Sequence, residues 1–333
     1  MTHFFRIYFL IHTLTLRRVL NFLSLFSSYL LSIILKNPIH WGSPFSMSVE
    51  PVNFCNLHCP ECPAGQRNLT RPEGILSFDL FRKVINENEK TVIWLMLYFQ
   101  GEPLLHPDFT EFVKYASKKN IYTVVSTNAH FLNEKMAQKI IESGLDKLII
   151  SLDGIEQESY SAYRIGGSVE KVKEAIRLMV QMKKKMKSKK PFIVLQTLLL
   201  KSNEHQLEEI KDFAKDCGVD KLEFKTAQFY EYKNGNPLMP TNQSFSRYRK
   251  QNNGTVILKN KLHNRCFRMW SSCVMTWNGD VLPCCFDKDA NYIMGNIKNK
   301  KLEDVWNSSE YKVFRKKIFF KRKDIEMCKN CTE

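Results

Sequence analysis

Acidic residues are in short supply: 34 Asp and Glu stand against 50 Lys and Arg in 333 residues, leaving a net charge of +16. That balance admits an anionic partner, although a solvated basic surface accounts for it with fewer assumptions. Long apolar runs are missing too. Val19–Leu35 is 17 residues without a charge, preceded by Arg17 and Arg18; it falls short of the about 20 residues of a membrane span, and no small-residue cleavage site follows it. Its polar residues Asn21, Ser24, Ser28 and Ser32 recur every three to four positions as one stripe of an otherwise apolar helix. The pattern predicts a mostly buried helix packed on the body, or else a monotopic helix at a membrane surface. Absent as well is the pattern of a small disulfide-stapled secreted protein. The ten cysteines cluster as Cys55, Cys59, Cys62 and Cys266, Cys273, Cys284, Cys285, Cys328, Cys331, with Cys217 alone. In a chain this long, such clusters read as reduced and metal-binding, and so as cytoplasmic.

A hydrophobic fraction of 44% and a charged fraction of 25% belong to an ordered protein with room for a large domain and a small one. After Pro44, strand-like runs at Phe45–Val49, Val92–Phe99, Tyr122–Ser126, Lys147–Leu152, Phe192–Leu200 and Lys221–Phe224 alternate with helical patterns. Those helices are Ser77–Glu87, Pro107–Lys119, Asn133–Ser143, Val169–Lys187 and Glu204–Cys217. The alternation predicts a parallel α/β sheet, either doubly wound or a partial barrel; periodicity does not choose between them. Functional residues belong at the C-terminal strand ends. There the sequence places "VNFCNLHCPECP", "YFQGEP", "STN" and "SLDG".

The first of these loops has three cysteines and lacks a fourth. Three thiolates leave one coordination position open, as catalysis at a metal requires, whereas a structural zinc site needs a closed set. His58, flanked by cysteines, is awkwardly placed to close it.

The C-x3-C-x2-C loop after a first strand resembles that of the radical S-adenosylmethionine enzymes. The resemblance implies a partial (β/α)6 TIM-like barrel, with Cys55, Cys59 and Cys62 holding a 4Fe-4S cluster that binds S-adenosylmethionine. It implies reductive cleavage to methionine and a 5′-deoxyadenosyl radical, hence an electron donor such as flavodoxin or ferredoxin. Gly101 and Glu102 match the motif that receives the cofactor ammonium, Ser126, Thr127 and Asn128 the third-strand end, and Ser151 and Asp153 the fourth. Arg164 is placed like an arginine that pairs with the cofactor carboxylate. Glu61 departs from the aromatic residue found in many members.

The C-terminal region resembles the auxiliary-cluster extension called SPASM, or its shortened form Twitch. It has Cys266, a hairpin with Gly279 and Cys284, a "GNI" turn, an "L-x-D-V-W" helix and a final C-x2-C at Cys328 and Cys331. Its cysteines are too few for two complete sites, which implies one auxiliary 4Fe-4S cluster on Cys266, Cys284, Cys328 and Cys331, with Cys285 the alternative to Cys284. Cys273 reads as a buried thiol. The boundaries expected are 1–44 for the apolar extension, 45–235 for the barrel, 236–261 for a linker and 262–333 for the auxiliary domain. Tyr98, Gln196, Lys225 and Gln228 are candidate contacts for a peptide or small-molecule substrate. The cationic stretch Lys312–Lys323 reads as a solvated amphipathic helix rather than a nucleic-acid contact. A competing reading, a zinc-containing nucleic-acid or membrane-binding protein, has no use for polar motifs at strand ends.

Overall fold

The computed structural model describes residues 13–332. Six strands, β1 (Ser46–Val49), β2 (Trp94–Met96), β3 (Tyr122–Thr127), β4 (Lys147–Ser151), β5 (Phe192–Leu199) and β6 (Lys221–Thr226), pair in parallel and in sequential order. A doubly wound sheet reverses its order partway along; this one does not. Side chains alternate across each strand. Those pointing one way, such as Met47, Leu95, Val125, Leu148 and Ile193, join the helices in one large core. Those pointing the other way, Trp94, Met96, Tyr98, Tyr122, Val124, Ile149, Phe192 and Val194, form a separate cluster without a helical residue. With the helices that connect the six strands on one face, the other face becomes the interior of a partial barrel.

Local chemistry sets the helix limits. Helices α2 (Phe78–Asn88), α4 (Glu134–Glu142) and α5 (Val169–Lys185) begin where Ser77, Asn133 and Ser168 accept a hydrogen bond from a first-turn amide. Helix α3 (Phe109–Lys118) lies between the first two, and α6 (Leu207–Cys217) ends at Gly218, whose φ of 72° suits a residue without a Cβ.

The C-terminal region, expected as a separate domain, continues this sheet. Strand β9 (Ser272–Met275) pairs in parallel with the free edge of β1, from Ser46 opposite Ser272 to Val49 opposite Met275. Strands β10 (Asp280–Leu282) and β11 (Gly295–Asn296) follow antiparallel, making nine strands. Trp270, Trp306 and Tyr311 belong to the same core as the barrel helices. The expected linker also has structure. Strands β7 (Tyr248–Lys250) and β8 (Val256–Leu258) form a hairpin, and the Tyr248 hydroxyl accepts from Phe229 N at 2.9 Å and donates to Asn330 Oδ1 at 2.8 Å. Helix α7 (Ser309–Lys321) is not uniformly solvated: Arg315 is buried between the rings of Trp306 and Tyr311, its guanidinium 4.4 Å from each ring centre. Its Nε donates to Met269 O and its Nη1 to Trp306 O.

Helix α1 (Leu16–Leu35) corrects the expectation of a mostly buried helix. Ser28 and Ser32 face inward at 0% exposure, while Leu16, Leu20, Leu23 and Ile34 are exposed by 76%, 54%, 51% and 74%. It is held flat at both ends. Arg18 donates to the carbonyls of Asn120 and Glu89, and Ser32 Oγ exchanges hydrogen bonds with the backbone of Ile39. Tyr29 packs on Trp270 between them.

His40, just beyond α1, meets the Trp306 ring edge-on at 5.1 Å between centres. Burial, reinforced by Arg315, lowers its pKa from the usual 6.5 to about 3. The folded protein refuses a proton that the unfolded chain accepts. Stability is therefore complete above about pH 6.5 and declines toward pH 3 by about 1.4 kcal/mol per unit. His40→Asn will flatten the fall in urea midpoint between pH 7 and pH 5; an unchanged slope would assign that loss to other groups.

Candidate active site

Strand β1 delivers the chain into the three-cysteine loop, whose thiols sense one another: burial pushes Cys55 up to about 12, with smaller upward contributions from Cys59 and Cys62. Each sulfur has a polar neighbour. Leu57 N and Asn128 Nδ2 approach Cys55 Sγ at 3.5 and 3.6 Å, Arg164 Nη1 reaches Cys59 Sγ at 3.8 Å, and Gln100 lies 4.0 Å from Cys62 Sγ. His58 points away, with Nδ1 3.1 Å from Gly65 O, and is exposed. The loop thus presents three thiols and no fourth ligand of its own, with amide and cationic donors that favour thiolate charge.

The "GEP" turn is pressed against this loop. Gly101 has φ +74°, and a Cβ there would stand 2.5 Å from Val52 O and 2.7 Å from Phe54 O. Gly101→Ala must therefore push the turn off the cysteine loop. The left-handed backbone alone costs about 1–2 kcal/mol, and we expect iron retained after anaerobic reconstitution to fall by half or more. Full iron retention would show that the contact is slack.

Glu102, expected to receive the cofactor ammonium, also has partners within the protein. Its carboxylate is buried and accepts from Leu104 N at 3.1 Å, Thr127 Oγ1 at 2.6 Å and Asn128 N at 2.8 Å. It clamps the end of β2 to the end of β3 and so aims Asn128 at the cysteine loop. Asp153 acts similarly. Its oxygens take Arg164 Nε at 2.6 Å and Leu198 N at 2.6 Å. Burial works against the Arg164 charge, but Asp153 and Cys59 outweigh it and hold the guanidinium pKa well above its usual value.

Strand alternation carries Tyr98, Ser126, Ser151 and Gln196 onto the inner face, one layer above the apolar floor of Met96, Val124, Ile149 and Val194. Gln196 pairs in register with Ser151 on one side and Glu223 on the other. Lys225 lies one inward position further along, half exposed and 3.5 Å from Glu223. Gln228 is apart from these three, lining a polar cleft of about 910 Å³ between the cysteine loop, the segment after β6 and the C-terminal region.

Cys266, Cys284, Cys328 and Cys331 line one small cavity with Arg268 and Arg322, and no acid is among its walls. Arg322 donates to Cys331 Sγ at 3.4 Å, and burial raises the Cys328 thiol to about 11 against the pull of this arginine. Among the described residues no three His, Cys, Asp or Glu side chains converge on a single ion. Four thiols spaced around a cavity suit a cluster, with two arginines to offset its charge. Cys285 lies off that cavity: Arg268 donates to its Sγ at 3.4 Å, and it is close enough to Tyr98 to add to the rise that burial causes there, to about 12. Cys273 is buried in the common core.

Two residues of the site, Arg268 and Lys288, escaped the sequence reading, and Cys285 was expected there only as an alternative cluster ligand. Arg268 and Cys285 bring the C-terminal region to the barrel interior, and Lys288 stands 4.9 Å over the Tyr230 ring. Burial lowers the Lys288 pKa, opposed by Cys62, Cys285 and Glu61 around it. Glu61, at the position of the missing aromatic, accepts from Tyr230 N and Asn236 Nδ2, each at 2.9 Å.

Residues 49–214 match the family model of the Radical SAM superfamily, and residues 266–332 match that of SPASM, an iron-sulfur cluster-binding domain. The chain is 27% identical over 294 residues to the tungsten-containing aldehyde ferredoxin oxidoreductase cofactor-modifying protein of Pyrococcus furiosus, covering 80% of this chain and 82% of that one. It is 29% identical over 203 residues to the PqqA peptide cyclase of Bradyrhizobium diazoefficiens, covering 60% of this chain and 52% of the cyclase. In fold it resembles Streptococcus suis SuiB bound to S-adenosylmethionine, with a TM-score of 0.64 at 13% identity, over 87% of this chain and 72% of that one. Enzymes of this kind work with a 4Fe-4S cluster and S-adenosylmethionine, and a SPASM domain adds iron–sulfur binding. The chain therefore belongs to the radical S-adenosylmethionine superfamily and carries a SPASM domain in its C-terminal region.

Proposed function

We propose that this enzyme is an oxidoreductase or maturase that removes a hydrogen atom from a peptide or small-molecule substrate bound over the inner face of its barrel, between residues 45 and 235. The observation that carries the reading is the convergence of the three-cysteine loop with the ends of β2, β3 and β4 beside a layer of Tyr98, Ser126, Ser151 and Gln196. When bound, the cluster and S-adenosylmethionine supply a 5′-deoxyadenosyl radical.

The chain's own residues bind and orient. Cys55, Cys59 and Cys62 are assigned to the first cluster. Gly101, Thr127 and Asn128 shape the cofactor bed, Glu102 and Asp153 brace it, and Arg164 offers a cation beside Cys59. Cys266, Cys284, Cys328 and Cys331, within residues 262–333, are assigned to one auxiliary 4Fe-4S cluster. Cys284 is preferred to Cys285 because it shares the cavity with the other three. The polar cleft beside Lys288 and Gln228 gives a peptide a route in, a reading supported by the relationship to PqqA peptide cyclases. Electrons come from a small carrier such as flavodoxin or ferredoxin. We place the enzyme in the cytoplasm, with the outward leucines of α1 resting on a membrane, because a helix pinned flat at both ends presents an apolar side rather than a span.

Cys328→Ala/Cys331→Ala separates the two metal sites, because it leaves only two thiols at the auxiliary cavity. Iron should drop from about eight to about four per chain, with 5′-deoxyadenosine still formed and substrate conversion lost. Retention of all the iron would remove this pair from the cluster.

A further inference from the structure

Helix α1 does not pack flush on the barrel. Beneath it lies a cavity of about 1000 Å³, bounded by Val19 and Phe22 of α1, by Phe45 and Phe267, and by Trp94 and Met96 of β2. This is at the upper end of ligand-pocket sizes. Apolar walls of this extent suit a hydrocarbon, which gains dispersion contacts along its length. The cavity is distinct from the polar cleft, and none of their lining residues is shared.

Its polar lining is of one sign. Arg18, His263, Arg265, Arg268 and Arg322 line it, and among the described residues no Asp or Glu does. Three of these cations are engaged elsewhere: Arg18 with backbone carbonyls, Arg268 with Cys285, and Arg322 with carbonyls and Cys331. Arg265 and His263 are exposed at the mouth, and Arg265 is close enough to Tyr29 to oppose the rise in its pKa. The pattern is an apolar chamber with a cationic rim, roofed by a helix whose outer side is itself apolar.

We propose that this chamber binds the hydrocarbon chain of an anionic amphiphile, with the head group at Arg265 and the chain running beneath α1 toward Trp94 and Met96. Delivery of that amphiphile from a bilayer rests on the membrane reading of α1; occupation of the chamber does not. The chain then ends one inward position below Tyr98, on the same face as the active-site layer.

The test uses the full chain and cis-parinaric acid, whose fluorescence rises when its chain enters an apolar site. Wild type should bind it saturably at about one per chain. Ser272→Trp, which fills the chamber from β9, should weaken binding at least tenfold. Arg265→Glu changes an exposed side chain and spares the carbonyl used by Arg322. It should weaken the acid at least tenfold yet leave parinaric acid methyl ester unchanged. Mass spectrometry of the purified protein should find either a free fatty acid or an anionic phospholipid, which identifies the source. Absence of saturable binding by wild type, or equal binding by both variants, would overturn the proposal. Flotation with phosphatidylglycerol vesicles is read separately with Leu20→Asp/Leu23→Asp. If wild type does not float while the parinarate pattern holds, the membrane reading falls and the chain site stands.

Discussion

Cys59→Ala will abolish 5′-deoxyadenosine formation and cut bound iron from about eight to about four per chain, the remainder being the auxiliary cluster. Cys59 is buried at the centre of its loop and faces Arg164. Two remaining thiols cannot hold a cubane that already leaves one iron without a protein ligand. The fold should survive, because Arg164 keeps its 2.6 Å contact with Asp153 and the loop keeps its backbone bond from His58 N to Ile165 O. Cys273→Ala is the matched control. Its thiol is equally buried but lies in the apolar core, so both iron content and cleavage should match wild type. Cofactor cleavage at the wild-type rate in Cys59→Ala would end the assignment of this loop.

Arg71→Ala will be the most destabilising single change outside the metal sites, by about 3–5 kcal/mol, the usual consequence of stranding a buried charge. Glu50 follows β1 directly and is fully buried; Arg71 grips both its oxygens, at 2.6 and 2.5 Å. Trp277 N of the C-terminal hairpin donates to the same carboxylate at 3.2 Å. Burial raises the Glu50 pKa while Arg71 lowers it, so losing Arg71 leaves the upward push unopposed. A raised carboxyl pKa means that the folded state holds the proton more tightly than the unfolded one. The variant's deficit should therefore be largest near pH 7 and shrink as pH falls toward the unfolded carboxyl value. Urea titrations at pH 7 and pH 5 read this directly, and adding Glu50→Gln should recover part of the loss. A deficit below about 1 kcal/mol would mean that water reaches Glu50.

Much of the site was legible because its chemistry is local. The cysteine spacing, the strand-end motifs and the final C-x2-C occupy adjacent positions, and all six barrel strands and the five helices after Pro44 fall within a few residues of their expected limits. What one sequence does not display is pairing between distant segments. The docking of β9 on β1, the approach of Arg268 and Cys285 to Tyr98, and the capture of Tyr248 by Asn330 leave no periodic trace. Arg315 shows the same limit: within a run of seven cations nothing distinguishes the one that three aromatic rings enclose. Helix α1 misled for a different reason. Its polar stripe has the right spacing, but Ser28 and Ser32 are satisfied by backbone carbonyls and face the body, which turns the leucines outward.

The parallel pairing of β1 with β9 sets an order of events during synthesis. Strand β1 leaves the ribosome well before its partner, and its outer edge stays open until Ser272–Met275 has followed. An open edge invites pairing with other chains, and closing a contact of such long range is slow. A nascent chain stalled before Ser272 would thus expose β1 beside three unligated thiols.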